Sequence, residues 1–564
     1  MAHIRLLICA LTLFVGLPIA ANAQQPAIAP DGIRNAASNA LGGMPNSGIA
    51  QGSLVIVHGT NLGPASLIPA TSFPLPSSQG LAGTSIRVTV GSTTVDAIVL
   101  FTSAGQVAAL LPSSTPVGDG TLTVTYNGQT SAPAPITVVR SSFGIFSMNQ
   151  AGSGPGVIQN LNVGLAGPVN TLSTVARPGQ EMILWGTGIG PVSGNEAAGA
   201  LPGNLTNINA RVWVGVREAE VRYRGRADCC VGIDQIIFTV PEGVQGCYVP
   251  VAVQIDNIVS NYTSIAIAAT GDTCSDPTGF SSAEVAAAKA RGRICLCSVN
   301  LTRVGISINE PGLPSFDFNT DIGGTSCNCF TFAQFQRSQG ICVPPAVGSC
   351  IVRTFQAGAA ASDPVTGTGL NAGPLINVGG PNGAKQLTPN PLLPGFYSAI
   401  LSGFPDPFGG GSADYLDPGT YSIDNGGGAS GANSVGAFQA IHTVPPSLVW
   451  TNQDAITAVN RAQGVVVTWT GESPESYVGI YGSSTNALST AGAAFVCFEN
   501  ASAGSFTIPP SVLLALPASN PDPTQNGDIL ALGSINPPTR FSAAGLDTGF
   551  VNSSVQTAKV LPYE

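Results

Sequence analysis

This 564-residue sequence predicts an all-β chain of several tandem sandwich domains, and three observations carry the prediction. First, one stretch occurs twice. Gly59-Thr-Asn-Leu-Gly-Pro64 returns as Gly186-Thr-Gly-Ile-Gly-Pro191. The echo runs back without a gap, Gly52–His58 against Gly179–Trp185, and forward, Gln106–Pro112 against Gln235–Pro241. Such self-similarity marks a repeated structural unit. Second, only 9% of residues are charged, while 44% are hydrophobic and there are 70 Gly and 44 Pro. Helical surfaces need many Lys and Glu, and about 25% charge is ordinary, so short strands joined by Gly/Pro turns fit better. Third, strand-length apolar runs recur between turn signals.

Taken in order, Met1–Ala23 reads as a secretory signal peptide. His3 and Arg5 precede the apolar run Leu6–Ala20, and Ala21-Asn22-Ala23 fits the cleavage pattern. The mature chain is therefore expected to be exported: extracellular, at the cell surface or periplasmic. No later run is apolar and long enough to span a membrane. Residues 24–47 lack periodicity and read as a flexible lead-in. In 48–148, Leu54–Val57, Ile86–Val90, Val95–Phe101, Val107–Leu111, Leu122–Tyr126 and Ile136–Val139 read as strands. The Asn127-Gly128 turn accepts the positive φ of a tight hairpin. About seven short strands at this spacing predict an Ig-like β-sandwich. Residues 171–274 repeat the order, with Ala210–Val214, Val249–Ile255 and Ser264–Ala268 as strands.

The repeated unit resembles the Ig-like (IPT/TIG-type) module common in secreted proteins of acidobacteria. The resemblance rests on Pro178-Gly179, Gly186–Pro191, Val214-Gly215, Asp234-Gln235-Ile236 and Val240-Pro241. In the first copy it rests on Gly59–Pro64, Val90-Gly91, Gln106–Pro112 and Phe143-Gly144-Ile145-Phe146. That copy lacks the Asp before Gln106. The resemblance covers about residues 48–275 and implies a spacer or binding unit, with no catalytic residues to carry over. The C-terminal half also resembles regions of secreted acidobacterial proteins that carry no attached activity.

Residues 275–366 read as a disulfide-rich connector holding one helix, Ser281–Arg291, capped by Ser281 or Ser282 and stopped by Gly292. Beyond it, 367–450 and 451–564 read as two further β-sandwich-like units. In the first, Asp417-Pro418-Gly419 turns into the alternating Tyr421 and Ile423. In the second, Trp469 ends an apolar strand and is expected in the core.

Twelve cysteines less Cys9 leave eleven in the mature chain, and export makes disulfides the expectation. Cys229 and Cys230 are expected to reach two partners, Cys247 and Cys274, because a bond between neighbours is strained. Residues i and i+2 of a strand share a face, so two antiparallel strands can pair Cys295 with Cys329 and Cys297 with Cys327. Cys342 and Cys350 would then close a short loop. Cys497 would remain as the free thiol. A zinc reading of the Cys-x-Cys runs is disfavoured by their tight spacing.

Catalytic signatures are not found. The mature chain has two histidines: His58, expected to be structural, and His442, expected at the surface. No hydrolase elbow, zinc-protease motif or phosphate loop occurs. Asp317, Asn319 and Asp321 open like a calcium loop, but Ile322 stands where Gly is needed and Asn328 where Glu is needed. Asp414, Asp417 and Asp424 read as turn formers. No catalytic, cofactor or metal residues are assigned. The net charge of −10, without basic clusters, argues against nucleic acid. The expected function is a non-catalytic cell-surface or extracellular protein that adheres or displays, with surface proteins or polysaccharide as partners. One alternative is a glycan-binding or carbohydrate-active site in 367–564, marked by exposed Trp450, Tyr477 and Tyr481. The other is a self-assembling subunit.

Overall fold

The computed structural model describes residues 25–162, 165–308, 316–338, 344–357, 365–402, 414–471, 473, 475–522 and 527–564. The signal-peptide reading therefore lies outside the described residues. The chain is nearly all strand and builds three successive bodies.

The first body is a sandwich of two sheets. One sheet orders its strands Ala27–Asn35, Leu54–Thr60, Gln106–Leu110, Ile98–Thr102 and Ile68–Pro69. The other is built on Ala134–Val139, Gly118–Tyr126 and Thr84–Val90. Alternate residues of both, including Val55, Val57, Ile86, Val88, Val107, Leu122 and Val138, fill the space between them. The stretch Val95–Phe101 is not one strand. It breaks at Ala97, so that Thr93–Asp96 and Ile98–Thr102 join opposite sheets.

The segment read as a lead-in is structured. Ala27–Asn35 pairs antiparallel with Leu54–Thr60. Ala37, Ala40 and Met44 are buried after it. Its apolar contacts, Ile28 and Ile33 on the first core, fall at no regular spacing, and side-chain bonds supplement them. Asn35 Oδ1 accepts from the backbone N–H groups of Ala37 and Ser38.

The second body is one folded sheet, running from Leu165–Val169 through Ile158–Asn162, Glu181–Thr187, Asp234–Thr239, Arg217–Arg226 and Ala210–Val214 to Gly246–Ile255. Arg217–Arg226 shifts register between Val221 and Tyr223 where the sheet folds over. Met182, Leu184, Ile236 and Phe238 then face Val212, Val249, Val251 and Val253. Phe143 and Ile145 belong to this core, although they read in sequence as the end of the first module. Gly144–Ile145 pairs with the Glu181–Thr187 strand.

The third body corrects the reading of a connector followed by separate units. Arg293–Ile308 and Phe316–Thr331 form a hairpin of two 16-residue strands in the middle of a 14-stranded sheet. Thr548–Val560 lies parallel to the first of them. On one side the sheet continues through Phe396–Ile400, Gly383–Pro389, Ile376–Gly380 and Gly419–Asp424 to Gln439–Val444, curling around a core with Tyr397, Tyr415, Tyr421 and Phe438. On the other side it continues through Ile529–Ile535, Tyr477–Thr485 and Ala491–Asn500 to Ser349–Gln356. A small sheet carrying Trp469 packs against that half. Trp469 is buried, and its indole N–H donates to Ala501 O at 2.7 Å. The helix Ser282–Arg291 has Ser281 as N-cap with a reciprocal Glu284 bond, and Gly292 as its left-handed stop. Val285 and Ala288 of the helix pack with Phe280, Phe335, Phe550 and the Cys247–Cys274 pair.

His442 closes the curl. It is 2% exposed, not a surface residue, and its ring nitrogens lie 2.8 Å from Thr539 Oγ1 and Ser553 Oγ. It occupies an inward position between Ala440 and Val444 on the last strand. Burial lowers its pKa to about 4. Between pH 6.5 and 4 the unfolded chain therefore binds a proton at this site that the folded chain refuses. The stabilisation is full above pH 6.5 and is lost as pH falls through that window. Urea unfolding should lose about 3 kcal/mol from this group between pH 7.5 and pH 4. In His442→Gln that component of the pH dependence should be absent. An unchanged pH profile in the variant would contradict the buried neutral imidazole.

Candidate functional site

The repeated Gly-Pro motif sets the joint between the first two bodies. In the second copy, Gly186, Gly188 and Gly190 bring the backbone against its neighbours. A Cβ on Gly188, where φ is +99°, would lie 2.4 Å from Ser142 O. Thr187 Oγ1 donates to Gly232 O at 2.7 Å and accepts from Leu54 N, in the first body, at 2.9 Å. Asn35 Nδ2 reaches Ser142 O at 3.2 Å.

Beside this motif Arg226 and Asp234 are buried, at 3% and 0% exposure. Arg226 Nη1 pairs with Asp234 Oδ1. Its Nη2 donates across the joint to Gly52 O at 2.6 Å and to Gly190 O at 2.9 Å. Asp234 Oδ2 accepts from Ile189 N at 2.8 Å. Burial raises the Asp234 carboxyl to about 6, against the opposing pull of Arg226 and the Ile189 N–H. A second carboxylate crosses nearby: Glu196 accepts from Ser113 N at 2.7 Å and Ser113 Oγ at 2.9 Å. Leu75 N donates to Ala197 O at 2.7 Å. These groups edge an open polar cleft of about 480 Å³ lined also by Ser77, Asp96 and Asn195. Both buried charges are committed to the joint, so it holds bodies together rather than performing chemistry. This pair is not legible in the sequence. Its one signal was that Asp234 answers Gly105 of the first copy, a new charge in a chain poor in them.

A second surface lies on the outer face of the central hairpin. Register places Ser298 opposite Ser326, Asn300 opposite Gly324 and Thr302 opposite Ile322. Asn552 and Ser554 stand beside Asn300 and Thr302 on the parallel strand, and Ser398 and Ile400 stand beyond Gly324 and Ile322. Asn552 Nδ2 donates to Asn300 Oδ1 at 3.0 Å and to Ser298 Oγ at 3.2 Å. Asn328 Nδ2 donates to Ser326 Oγ at 2.8 Å. A Cβ on Gly324 would meet nothing within 4 Å, so the face is open there. Ile322, Phe396 and Ile400 are exposed along its margin. The result is an uncharged hydroxyl–amide ladder with an apolar rim.

The aromatic residues proposed as a sugar platform are not brought together. Trp450 is 7% exposed and its indole N–H donates to Asn452. Tyr477 stacks on Phe498 at 4.9 Å, and Tyr481 shares a hydrogen bond with Ser554. The aspartates serve structure. Arg303 grips Asp321 with two bonds of 2.8 and 3.1 Å and also faces Asp414 and Asp417. Burial pushes the Asp321 carboxyl up, but Arg303 and the N–H groups of Leu416 and Tyr415 outweigh it and hold it below the usual range. Asp424 accepts from Asn377 Nδ2 and Gly426 N. Asn319 donates to Asp414; the side chain of Asp317 lies outside the described residues. His58 lines a groove with Arg34 and Phe355, its pKa lowered by burial and then by Arg34. Among the described residues no group of three or more His, Cys, Asp or Glu is placed to hold a metal.

Among the described residues five cysteine pairs stand at disulfide distance. Cys295 meets Cys329 and Cys297 meets Cys327, as direct partners across the long hairpin. Three expectations are corrected, the third being the short loop between Cys342 and Cys350, because Cys350 is paired elsewhere. Cys247 pairs with Cys274 beneath the helix, while Cys229 pairs with its neighbour Cys230 on an exposed loop at the first body. The two sites lie at different interfaces of the second body, so cross-pairing has no path. Cys497 is not free: it pairs with Cys350, its register partner on the adjacent strand. That contact was hidden because Ser349–Gln356 was not read as a strand. Cys342 lies outside the described residues.

Residues 44–138 match the IPT/TIG domain. No curated protein matches the chain. Solved structures that resemble it include domains 5–6 of the S-layer protein SbsC, at 9% identity and a TM-score of 0.16, covering 43% of this chain and 99% of that one. A second is SGBP-B of the Bacteroides ovatus mixed-linkage glucan utilization locus, in complex with a mixed-linkage heptasaccharide. It is 10% identical with a TM-score of 0.14, covering 86% of this chain and 91% of that one. The I9–I11 tandem of titin is 7% identical with a TM-score of 0.12, covering 70% and 94%. Superpositions this loose carry neither function nor architecture across. Among the described residues, no helix is long and apolar enough to cross a membrane.

The joint makes a direct stability prediction. Arg226→Ala leaves a buried carboxylate unpaired and should cost about 3–5 kcal/mol in urea unfolding. Arg226→Met with Asp234→Leu removes both charges and should cost less than the single change. A cost under about 1 kcal/mol for Arg226→Ala would show that the pair is not buried as described.

Proposed function

We propose that this chain is a non-catalytic extracellular protein that binds or displays at a surface, with its Ig-like bodies held as one stiff support. The observation that carries this reading is the bond from Arg226 to Gly52 O, which ties the second body to the backbone of the first from within a buried ion pair. Tandem domains in one chain normally move against each other unless their interface is well made. Here the interface joins buried side chains from both. A stiff array suits a protein that must hold a surface at a fixed distance and angle. The cysteine pairs suit the same extracellular setting.

A second reading is favoured by one observation, the partly exposed uncharged row of Asn300, Ser326 and Asn552, with Ser298 buried beneath it as a support for Asn552. Hydroxyl and amide groups with an apolar rim match the alternating hydroxyl and C–H faces of a neutral polysaccharide. On this reading the third body is the binding end and the first two are its stalk.

Co-sedimentation of the oxidised protein with whole cells and with a panel of insoluble neutral polysaccharides tests both. Saturable retention on cells or on one polysaccharide is expected, and retention on neither would contradict surface binding. If a polysaccharide retains it, Asn300→Ala with Asn552→Ala should weaken retention about tenfold, since each lost hydrogen bond is worth about 1 kcal/mol. Hydrolysis of a polysaccharide, abolished by one Asp or Glu change, would overturn the non-catalytic reading.

A further inference from the structure

Four of the five cysteine pairs are interior staples. Cys247, Cys274, Cys295, Cys297, Cys327, Cys350 and Cys497 are at most 2% exposed. Their partners lie between 27 and 147 positions apart in sequence, as Cys247–Cys274 and Cys350–Cys497 show. The pair Cys229–Cys230 differs on both counts. Both residues are exposed, and they are sequence neighbours. A bond between neighbours closes almost no chain, so it adds almost nothing by restricting the unfolded state. Stapling does not account for it.

Its position does. The pair sits at the middle of the loop whose two ends are Arg226 and Asp234, the buried ion pair of the joint. Between them, Ala227 N donates to Ile233 O at 3.0 Å and closes the loop. The same loop covers the first body. Val231 and Ile233 pack on Leu54, Leu75, Ile98 and Leu110. A Cβ on Gly232, where φ is +73°, would lie 2.5 Å from Leu54 Cδ2 and 2.6 Å from Leu110 Cδ1. Gly232 O is the acceptor of Thr187, which in turn receives Leu54 N. The loop is thus the clamp of the joint, and the cross-link holds its apex in one conformation.

We propose that Cys229–Cys230 is a thiol-exchange site through which an external dithiol loosens the joint between the first two bodies. One thiolate of the dithiol attacks Cys229 or Cys230 sulfur, the protein S–S bond breaks, and a mixed disulfide forms. The second thiolate of the dithiol then displaces the protein sulfur and closes the reagent's own disulfide. In sum two electrons and two protons pass from the dithiol to the pair, which ends as the two thiols of Cys229 and Cys230. With the apex released, the loop that holds Gly232 against Leu54 and Leu110 loses order, and the bonds of Leu54 N and Ile189 N at its base are weakened. Whatever surface or glycan the chain meets, this site acts on the support.

The test uses the native full-length protein. Free thiols are first blocked with iodoacetamide, dithiothreitol is added without denaturant, and newly released thiols are labelled and mapped by peptide mass spectrometry. Cys229 and Cys230 should be labelled at least about tenfold faster than the interior cysteines, because exchange follows access. Hydrogen exchange at Leu54 and Ile189 should then accelerate in the opened protein. Cys229→Ser with Cys230→Ser should show the same faster exchange without any reductant. Labelling of this pair no faster than the interior pairs would overturn the proposal. So would opening that leaves exchange at Leu54 and Ile189 unchanged.

Discussion

The guanidinium of Arg226 is the point at which separate sandwiches become one support. It spends one nitrogen on Asp234 within its own body and another on the Gly52 carbonyl of the next. A charge buried to this degree is tolerated only where its partners are fixed in advance. That condition reaches back into the sequence. Gly186, Gly188 and Gly190 let the backbone approach closely enough for Ile189 N to meet Asp234 and Gly190 O to meet Arg226. The motif is repeated because the strand-to-loop turn is repeated. Only the second copy carries the charge, and it uses it to reach the first body.

The same economy governs the third body. In a chain with few ionic groups, Arg303 gathers Asp321, Asp414 and Asp417 at the rim of the curled sheet. His442 seals the curl as a neutral ring between Thr539 and Ser553. Both are structural uses of residues whose types would suit catalysis. On the outer face of the long hairpin, Asn552 bonds to Asn300 and to the buried Ser298 without a charge.

Local signals in the sequence were legible where one residue type determines the backbone. Asn127 and Gly128 do take positive φ, 48° and 78°. Ser281 and Gly292 cap the helix from the two ends. Strand alternation put Cys297 opposite Cys327. Contacts set by distant partners were not legible. Thr548–Val560 alternates Val551, Ser553 and Val555 inward with Asn552, Ser554 and Gln556 outward, and no run of apolar residues announces it. Ala27–Asn35 is held by pairing, by Asn35 and by only two apolar side chains, Ile28 and Ile33, which pack on the first core. The 14-stranded sheet unites residues 293 to 560, and nothing local states that the hairpin at its centre is a hub rather than a linker. Of the candidate site, the repeated glycines were visible, but the Arg226–Asp234 pair needed the fold to bring its ends together.

A support built on the Arg226 joint requires that the first two bodies do not move independently. Spin labels placed through non-natural residues at Ser92 and Asn257, both exposed, would report the distance between the bodies by pulsed electron resonance. One narrow distance distribution is expected in the oxidised protein and a broadened one in Arg226→Ala. A broad distribution in the unaltered protein would contradict it, because the buried pair would then be holding nothing fixed.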